Sequence, residues 1–129
     1  MIAIDTSALV ALLRFEPDAP RIRSRLQLAG GALISTANLL ELQLVLAGKP
    51  SPPAWRQVEI ILAEYHVAAQ AFDERQLHVA REAAVRYGKG RHKAGLNFGD
   101  CFAYALAKTE NLAMLCTGRD FAATDIAIA

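Results

Sequence analysis

The sequence is short of several things, and each shortage removes a class of protein. Only two cysteines, Cys101 and Cys116, occur in 129 residues. That is too few for a disulfide scaffold and fits a cytoplasmic protein with reduced, buried thiols. Histidine is scarce too: His66, His78 and His92 stand apart with no metal-ligand spacing. No apolar run approaches the roughly 18 residues that a membrane span needs. Met1-Ile2-Ala3-Ile4-Asp5 lacks the basic start of a secretory signal and puts an acid where the apolar stretch would begin. Charge of one sign is missing as well. Against 13 Asp and Glu stand 14 Lys and Arg, a formal net charge of +1, so partners must be read from where the charges sit. What is plentiful is core: 53% hydrophobic against 21% charged residues excludes intrinsic disorder. The length suits one domain, residues 1–129, with enough apolar surface to dispense with staples.

Met1–Ile4 reads as a strand ending at Asp5, and Thr6–Leu13 as the helix that follows at once, the opening of an α/β unit. Pro17 is placed for the first turn of a second helix reaching Ala29, which Gly30-Gly31 breaks. Ala32–Ile34 is a second strand, and Ser35 or Thr36 caps a third helix ending near Gly48. Past the stiff Lys49–Pro53 connection, Ala54–Tyr65 is helical, with Trp55, Val58, Ile61 and Leu62 on one face. His66–Ala69 is a short strand candidate. Asp73 caps a helix to Tyr87 with Leu77, Ala80, Ala84 and Tyr87 at helical spacing. Gly88–Phe98 is a basic, Gly-rich loop, and Gly99–Thr109 a helix. Leu112–Thr117 is another buried strand, and Ile126–Ile128 a last, edge strand. Short apolar strands alternating with helices predict an α/β fold with a parallel sheet covered on both faces.

The acids fall into two populations. Glu16, Asp18, Glu59, Glu64, Asp73, Glu74, Glu82 and Glu110 lie in polar or mixed-charge sequence, as solvated helix faces do. The others are isolated. Asp5 is the only charge before Arg14, Glu41 the only one between Arg25 and Lys49, and Asp100 the only one between Lys93 and Lys108. Asp120 follows an apolar strand, and Asp125 is the last charge of an apolar tail. A carboxylate in apolar surroundings costs several kcal/mol to bury unless something pairs with it. Asp5 and Asp120 sit just past the ends of expected parallel strands, where open α/β sheets place their ligand crevice. Asp100 lies in the first turn of its helix. Glu41, with Ala37, Leu44 and Val45 as helical neighbours, is expected on an inward stripe. Carboxylates gathered there would repel one another, and a divalent ion relieves the repulsion; an all-oxygen site suits Mg²⁺ or Mn²⁺ over zinc.

Each acid also has a structural alternative. Asp5 is placed to cap the first helix and Asp120 the turn at Phe121. Asn97-Phe98-Gly99-Asp100 and Asn38-Leu39-Leu40-Glu41 both have capping-box spacing. The basic loop holds Arg86, Lys89, Arg91, His92 and Lys93, candidates for phosphate contacts without sequence reading; its alternative is a flexible solvated loop. Tyr87 and Phe98 fit the core better than base stacking. Trp55, Leu62 and Leu46 suit either a partner surface or packing onto the sheet.

Four segments together resemble the PIN-domain ribonucleases, and among them the VapC toxins of toxin–antitoxin pairs. They are Ile2–Leu9, Ser35 to Leu42, Gly88–Ala107 and Gly118–Ile126, in order along nearly the whole chain. The resemblance implies a three-layer α/β/α sandwich with a central, mostly parallel sheet, a homodimer, an RNA substrate and a small cognate antitoxin. It implies Asp5, Glu41 and Asp100 as core acids, with Asp5 and Asp100 the principal metal ligands. Asp120 matches the acid of the final loop motif, Asp125 a weaker downstream one, and Thr6 or Ser7 the hydroxyl that supports the first acid. Cleavage products would carry a 5′-phosphate and a 3′-hydroxyl. Two other functions fit parts of the pattern. An aspartate phosphoacceptor or phosphatase would use Asp5, although Ser7 replaces the second acid of one such class. A non-catalytic RNA- or partner-binding domain would keep the acids for structure.

Overall fold

The architecture follows from alternation along three residues. In the computed structural model, which describes residues 1–129, Ala3 packs into one apolar cluster and its neighbour Ile4 into another, on opposite faces of a sheet. The strand is β1, Ile2–Ile4. The other strands are β2 (Ala32–Ser35), β3 (Val67–Gln70) and β4 (Met114–Leu115), in the order β3-β2-β1-β4, all parallel. Ile2 pairs with Ala32, and Ala3 with Met114. Helices α1 (Thr6–Leu13), α2 (Ala19–Ala29), α3 (Thr36–Ala47) and α4 (Trp55–Glu64) cover the Ile4 face. Helices α5 (Glu74–Tyr87) and α6 (Phe98–Glu110) cover the Ala3 face. The result is an α/β/α sandwich with a wholly parallel centre.

Side chains start the helices where sequence places them. Asp5 accepts the Ser7 N–H at the head of α1, Ser35 the Ala37 N–H at α3, and Asp73 the Gln76 N–H at α5. Chain direction makes the site. From β1 the winding runs outward through β2 to β3, then returns to the far side of β1 for β4. Winding thus reverses between β1 and β4, and a crevice opens past their C-terminal ends.

Several expectations need correction. Helix α2 begins at Ala19 after Asp18, so Pro20 occupies its first turn and Pro17 lies in the preceding turn. Strand β3 starts at Val67 rather than His66, and Ala68 and Ala69 on this edge strand are exposed. Strand β4 is only two residues long, because β1 offers it just Ala3 and Ile4 as partners. The expected last strand is a single parallel bridge from Ile128 to Met114. Helix α5 buries Gln76, Ala80, Ala83 and Tyr87 and leaves Leu77 and Ala84 exposed, so its inward stripe is displaced from the expected one. In α3 the stripe is Asn38, Leu42 and Leu46; Leu44 is 68% exposed and Glu41 sits half-buried at the margin. Trp55, Ile61 and Leu62 pack against the core cluster.

Candidate active site

The crevice between the ends of β1 and β4 is about 370 Å³ in volume and is walled by Asp5, Glu16, Glu41, Asp100 and Asp120. Thr6, Ser7, Asn97 and Thr117 complete its polar lining, and no Lys, Arg or His side chain reaches it. Four of the five acids are those isolated in the sequence. Asp5, 6% exposed, follows β1 directly; its backbone N–H donates to the Leu115 carbonyl at 3.0 Å, which fixes it beside β4. Its carboxylate accepts the Ser7 N–H at 3.1 Å. The Ser7 hydroxyl in turn accepts the Thr117 N–H at 3.1 Å, tying α1 to the turn after β4.

Asp100, 8% exposed, is part of a complete capping box. Its carboxylate accepts the Asn97 N–H at 3.0 Å while the Asn97 side chain accepts the Asp100 N–H at 2.9 Å. The capping role and the crevice role therefore coexist in one side chain, as they do for Asp5. Glu41 takes no part in a capping box, because α3 starts earlier, at Thr36. Its Oε1 accepts from both the Thr6 hydroxyl and the Asn38 amide, the latter at 3.1 Å. Thr6 thus supports Glu41, and Ser7 supports Asp5 through its N–H. Asp120 is exposed and makes no capping bond to the 3-10 turn Phe121–Ala123 behind it, so the capping alternative fails there.

Crowding shows in the acidities. Burial raises Asp5 above the usual carboxylate range, and Glu41 nearby adds to this against the opposing Ser7 bonds. Burial likewise pushes Asp100 up to about 7, reinforced by Asp5, Asp120 and Glu41 and opposed by the Asn97 N–H. Cys116, behind the crevice, is pushed up to about 12 by burial first and by Asp5 next. It is an inert thiol, as expected for both cysteines.

Asp125 stands elsewhere. It pairs with the Lys108 ammonium at 2.6 Å and accepts the Tyr104 hydroxyl at 2.7 Å, outside the crevice lining. None of the basic-loop residues lines the crevice. Arg86 lies over the Tyr87 ring at 4.9 Å, and Lys89 borders a separate groove with Phe72, Phe98 and Phe102. Arg91 and Lys93 are exposed. The loop itself is ordered by backbone bonds: Lys89 N–H to the Leu96 carbonyl at 3.0 Å and Leu96 N–H to the Tyr87 carbonyl at 2.9 Å. Phe98, expected in the core, is 82% exposed, whereas Tyr87 is buried. Sequence reasoning missed Glu16, whose charged neighbours Arg14 and Asp18 disguise it. Asn38, marked in the sequence only by its capping-box spacing to Glu41, instead serves the site through its side-chain amide.

The donor set tests well for a small, hard cation. All donors are oxygens, they repel one another, and no basic side chain in the lining offsets them. No three His, Cys, Asp or Glu side chains form a ready-made cage. An all-oxygen set of this kind suits a hard divalent cation.

The family model for the PIN domain matches residues 2–127. The chain belongs to the PIN domain family. Within it the relatives are VapC ribonucleases. Ribonuclease VapC30 of Mycobacterium tuberculosis is 46% identical over 124 residues, spanning 96% of this chain and 95% of that protein. Ribonuclease VapC of Mycolicibacterium smegmatis is 45% identical, spanning 96% of each. Among solved structures, the PIN fold is shared with VapC20 of M. tuberculosis, described as a sarcin–ricin loop cleaving toxin. The TM-score is 0.78 and the identity 18%, over 100% of this chain and 98% of that one. VapBC2 of Rickettsia felis, bound to promoter DNA, gives 0.78 at 17% identity with the same coverage. This PIN domain is a VapC-type ribonuclease.

Proposed function

We propose that this VapC-type endoribonuclease, the toxin of a toxin–antitoxin pair, hydrolyses RNA at a Mg²⁺ ion held directly by Asp5 and Asp100. PIN-domain ribonucleases in general depend on divalent metal; we take Mg²⁺ as that metal, and Mn²⁺ suits the same oxygen donors. The observation that carries the reading is one crevice with five acids in its wall and no basic side chain to neutralise them. Bound there, the ion would offset the charge of the scissile phosphate and make a water more acidic. The chain's own residues do the rest. Asp5 and Asp100, fixed as helix caps, are rigid ligands whose geometry does not depend on substrate. Glu41, anchored through Oε1, keeps Oε2 free to orient the attacking water and take its proton. Asp120, exposed in the crevice wall, orients further waters. In-line attack forms a bond from the water oxygen to phosphorus and breaks the bond to the 3′-oxygen, which takes a proton from bulk water, leaving a 5′-phosphate and a 3′-hydroxyl.

We further assign phosphate contacts to Arg86, Lys89, Arg91 and Lys93, on the loop that delivers Asn97 and Asp100 to the crevice. Residues 1–129 act as one PIN domain, as a homodimer, in the cytoplasm. No helix is long and apolar enough to cross a membrane. A small antitoxin partner is assigned because structural neighbours include toxin–antitoxin complexes. Asp125 takes no part in the site, because its charge is already paired with Lys108. The test is direct: purified protein and total RNA, with Mg²⁺ or with EDTA, beside Asp100→Asn. Cleavage that needs Mg²⁺ and disappears in the variant is expected. A folded Asp100→Asn protein cutting at the wild-type rate sinks the assignment.

A further inference from the structure

Gly99 is the second residue of α6, buried, with no left-handed backbone angle to require a glycine. Glycine is a poorer helix former than alanine, and nothing in the backbone calls for it here, so its presence needs another reason. The reason is space. A Cβ at position 99 would overlap the Glu41 carboxyl group, whose three atoms are its nearest neighbours. Asn38 provides the complementary half. It is wholly buried in a stripe of α3 otherwise made of Leu42 and Leu46, and its amide donates at once to Glu41 Oε1 at 3.1 Å and to the Gly99 carbonyl at 3.0 Å. Its own Oδ1 has no partner. An unpaired buried oxygen is a cost that leucine would avoid, so the side chain is kept for its donors.

We infer that Gly99 and Asn38 are positioning residues for Glu41: Gly99 leaves the space its carboxylate occupies, and Asn38 ties the carboxylate there and to the head of α6. This rests on the reading of Glu41 as a water-orienting acid. The obstacle to a Cβ is the tip of a flexible side chain and not backbone. Gly99→Ala therefore swings Glu41 aside while α6 gains a better helix former.

The experiment measures steady-state kinetics and metal-free melting for Gly99→Ala, Asn38→Ala and Glu41→Gln, with Gly99→Ala repeated in a Glu41→Ala background. Gly99→Ala is expected to fold, with Tm unchanged or raised, and to lose on the order of 100-fold in kcat, the cost of roughly 1 Å of misplacement, with KM for RNA little changed. Asn38→Ala is expected to lower kcat in the same way. In metal-free protein Gly99→Ala raises Tm more when Glu41 is Ala, because the overlap is gone. Equal Tm shifts in the two backgrounds overturn the inference. So does wild-type kcat in Gly99→Ala where Glu41→Gln has lost turnover, or failure of Gly99→Ala to fold, since Glu41 would then not be the yielding partner. Wild-type turnover in Glu41→Gln instead overturns the catalytic reading of Glu41, while the Tm coupling still reports on the packing.

Discussion

Asp100 and Asp125 both belong to the α6 side of the sheet, and their fates are opposite. Asp125 has an ammonium at 2.6 Å and a phenol at 2.7 Å, and Lys108 foremost holds it below the usual carboxylate range. Asp100 has one backbone N–H and three other acids for company, and stands at about 7. The first carboxylate is satisfied by the fold. The second is left in deficit by it, which is why the proposed cation is assigned there. Satisfaction of charge, more than position in the chain, separates Asp125 from the acids proposed for the site.

The comparison breaks most sharply on activity. Asp5→Asn or Asp100→Asn is expected to reduce RNA cleavage by more than about 100-fold, beyond the roughly 10- to 100-fold typical of partners outside the metal's own ligands. Asp125→Asn should leave turnover unchanged in the same gel assay. If Asp125→Asn is the more damaging change, the assignment of roles is reversed.

Stability should move the other way. Asp100 binds its proton in the folded, metal-free protein between its ordinary value of 3.8 and about 7, where the unfolded chain has lost it. Its contribution is complete below the first value and is lost as pH rises through the second. Metal-free protein should therefore melt higher at pH 5 than at pH 8, by roughly a few degrees, and Asp5 acts in the same direction. Asp100→Asn should raise the pH 8 melting temperature without metal and reduce the gain on adding Mg²⁺. Calorimetry at both pH values checks this; a wild-type curve that climbs steadily from pH 5 to 8 without metal refutes it.

Smaller effects follow at the periphery. Arg91→Ala and Lys93→Ala should each weaken RNA binding severalfold and lower the salt slope by about one, measured with uncleavable RNA across salt concentrations. A slope identical to wild type removes these residues from the interface. Asp125→Asn should cost about 1 kcal/mol or less, since its ion pair is partly solvated. That stability is present above the ordinary carboxylate range and is lost as pH falls through the lowered folded value of Asp125. Acid melts of the two proteins should therefore converge.

Capping chemistry made most helices legible, because Asp5, Ser35, Asp73 and Asn97 announce themselves by residue type. The isolated acids were legible because burying a charge is costly whatever the fold. What escaped was set by neighbours distant in sequence. Strand β4 is short because β1 is short, and Ile128 contributes only a bridge. Leu44 and Phe98 are exposed although their types suggested core. Glu16 joined the crevice through the placement of the α1–α2 turn, which nothing local encodes.

The strand order has a consequence for synthesis. The two strands flanking the crevice lie far apart in the chain, so Asp5 is made early, while β4 and Asp120 follow only after all six helices. A nascent chain still threaded through the ribosome thus holds an incomplete set of acids. The crevice gains its second wall only when translation has passed Asp120.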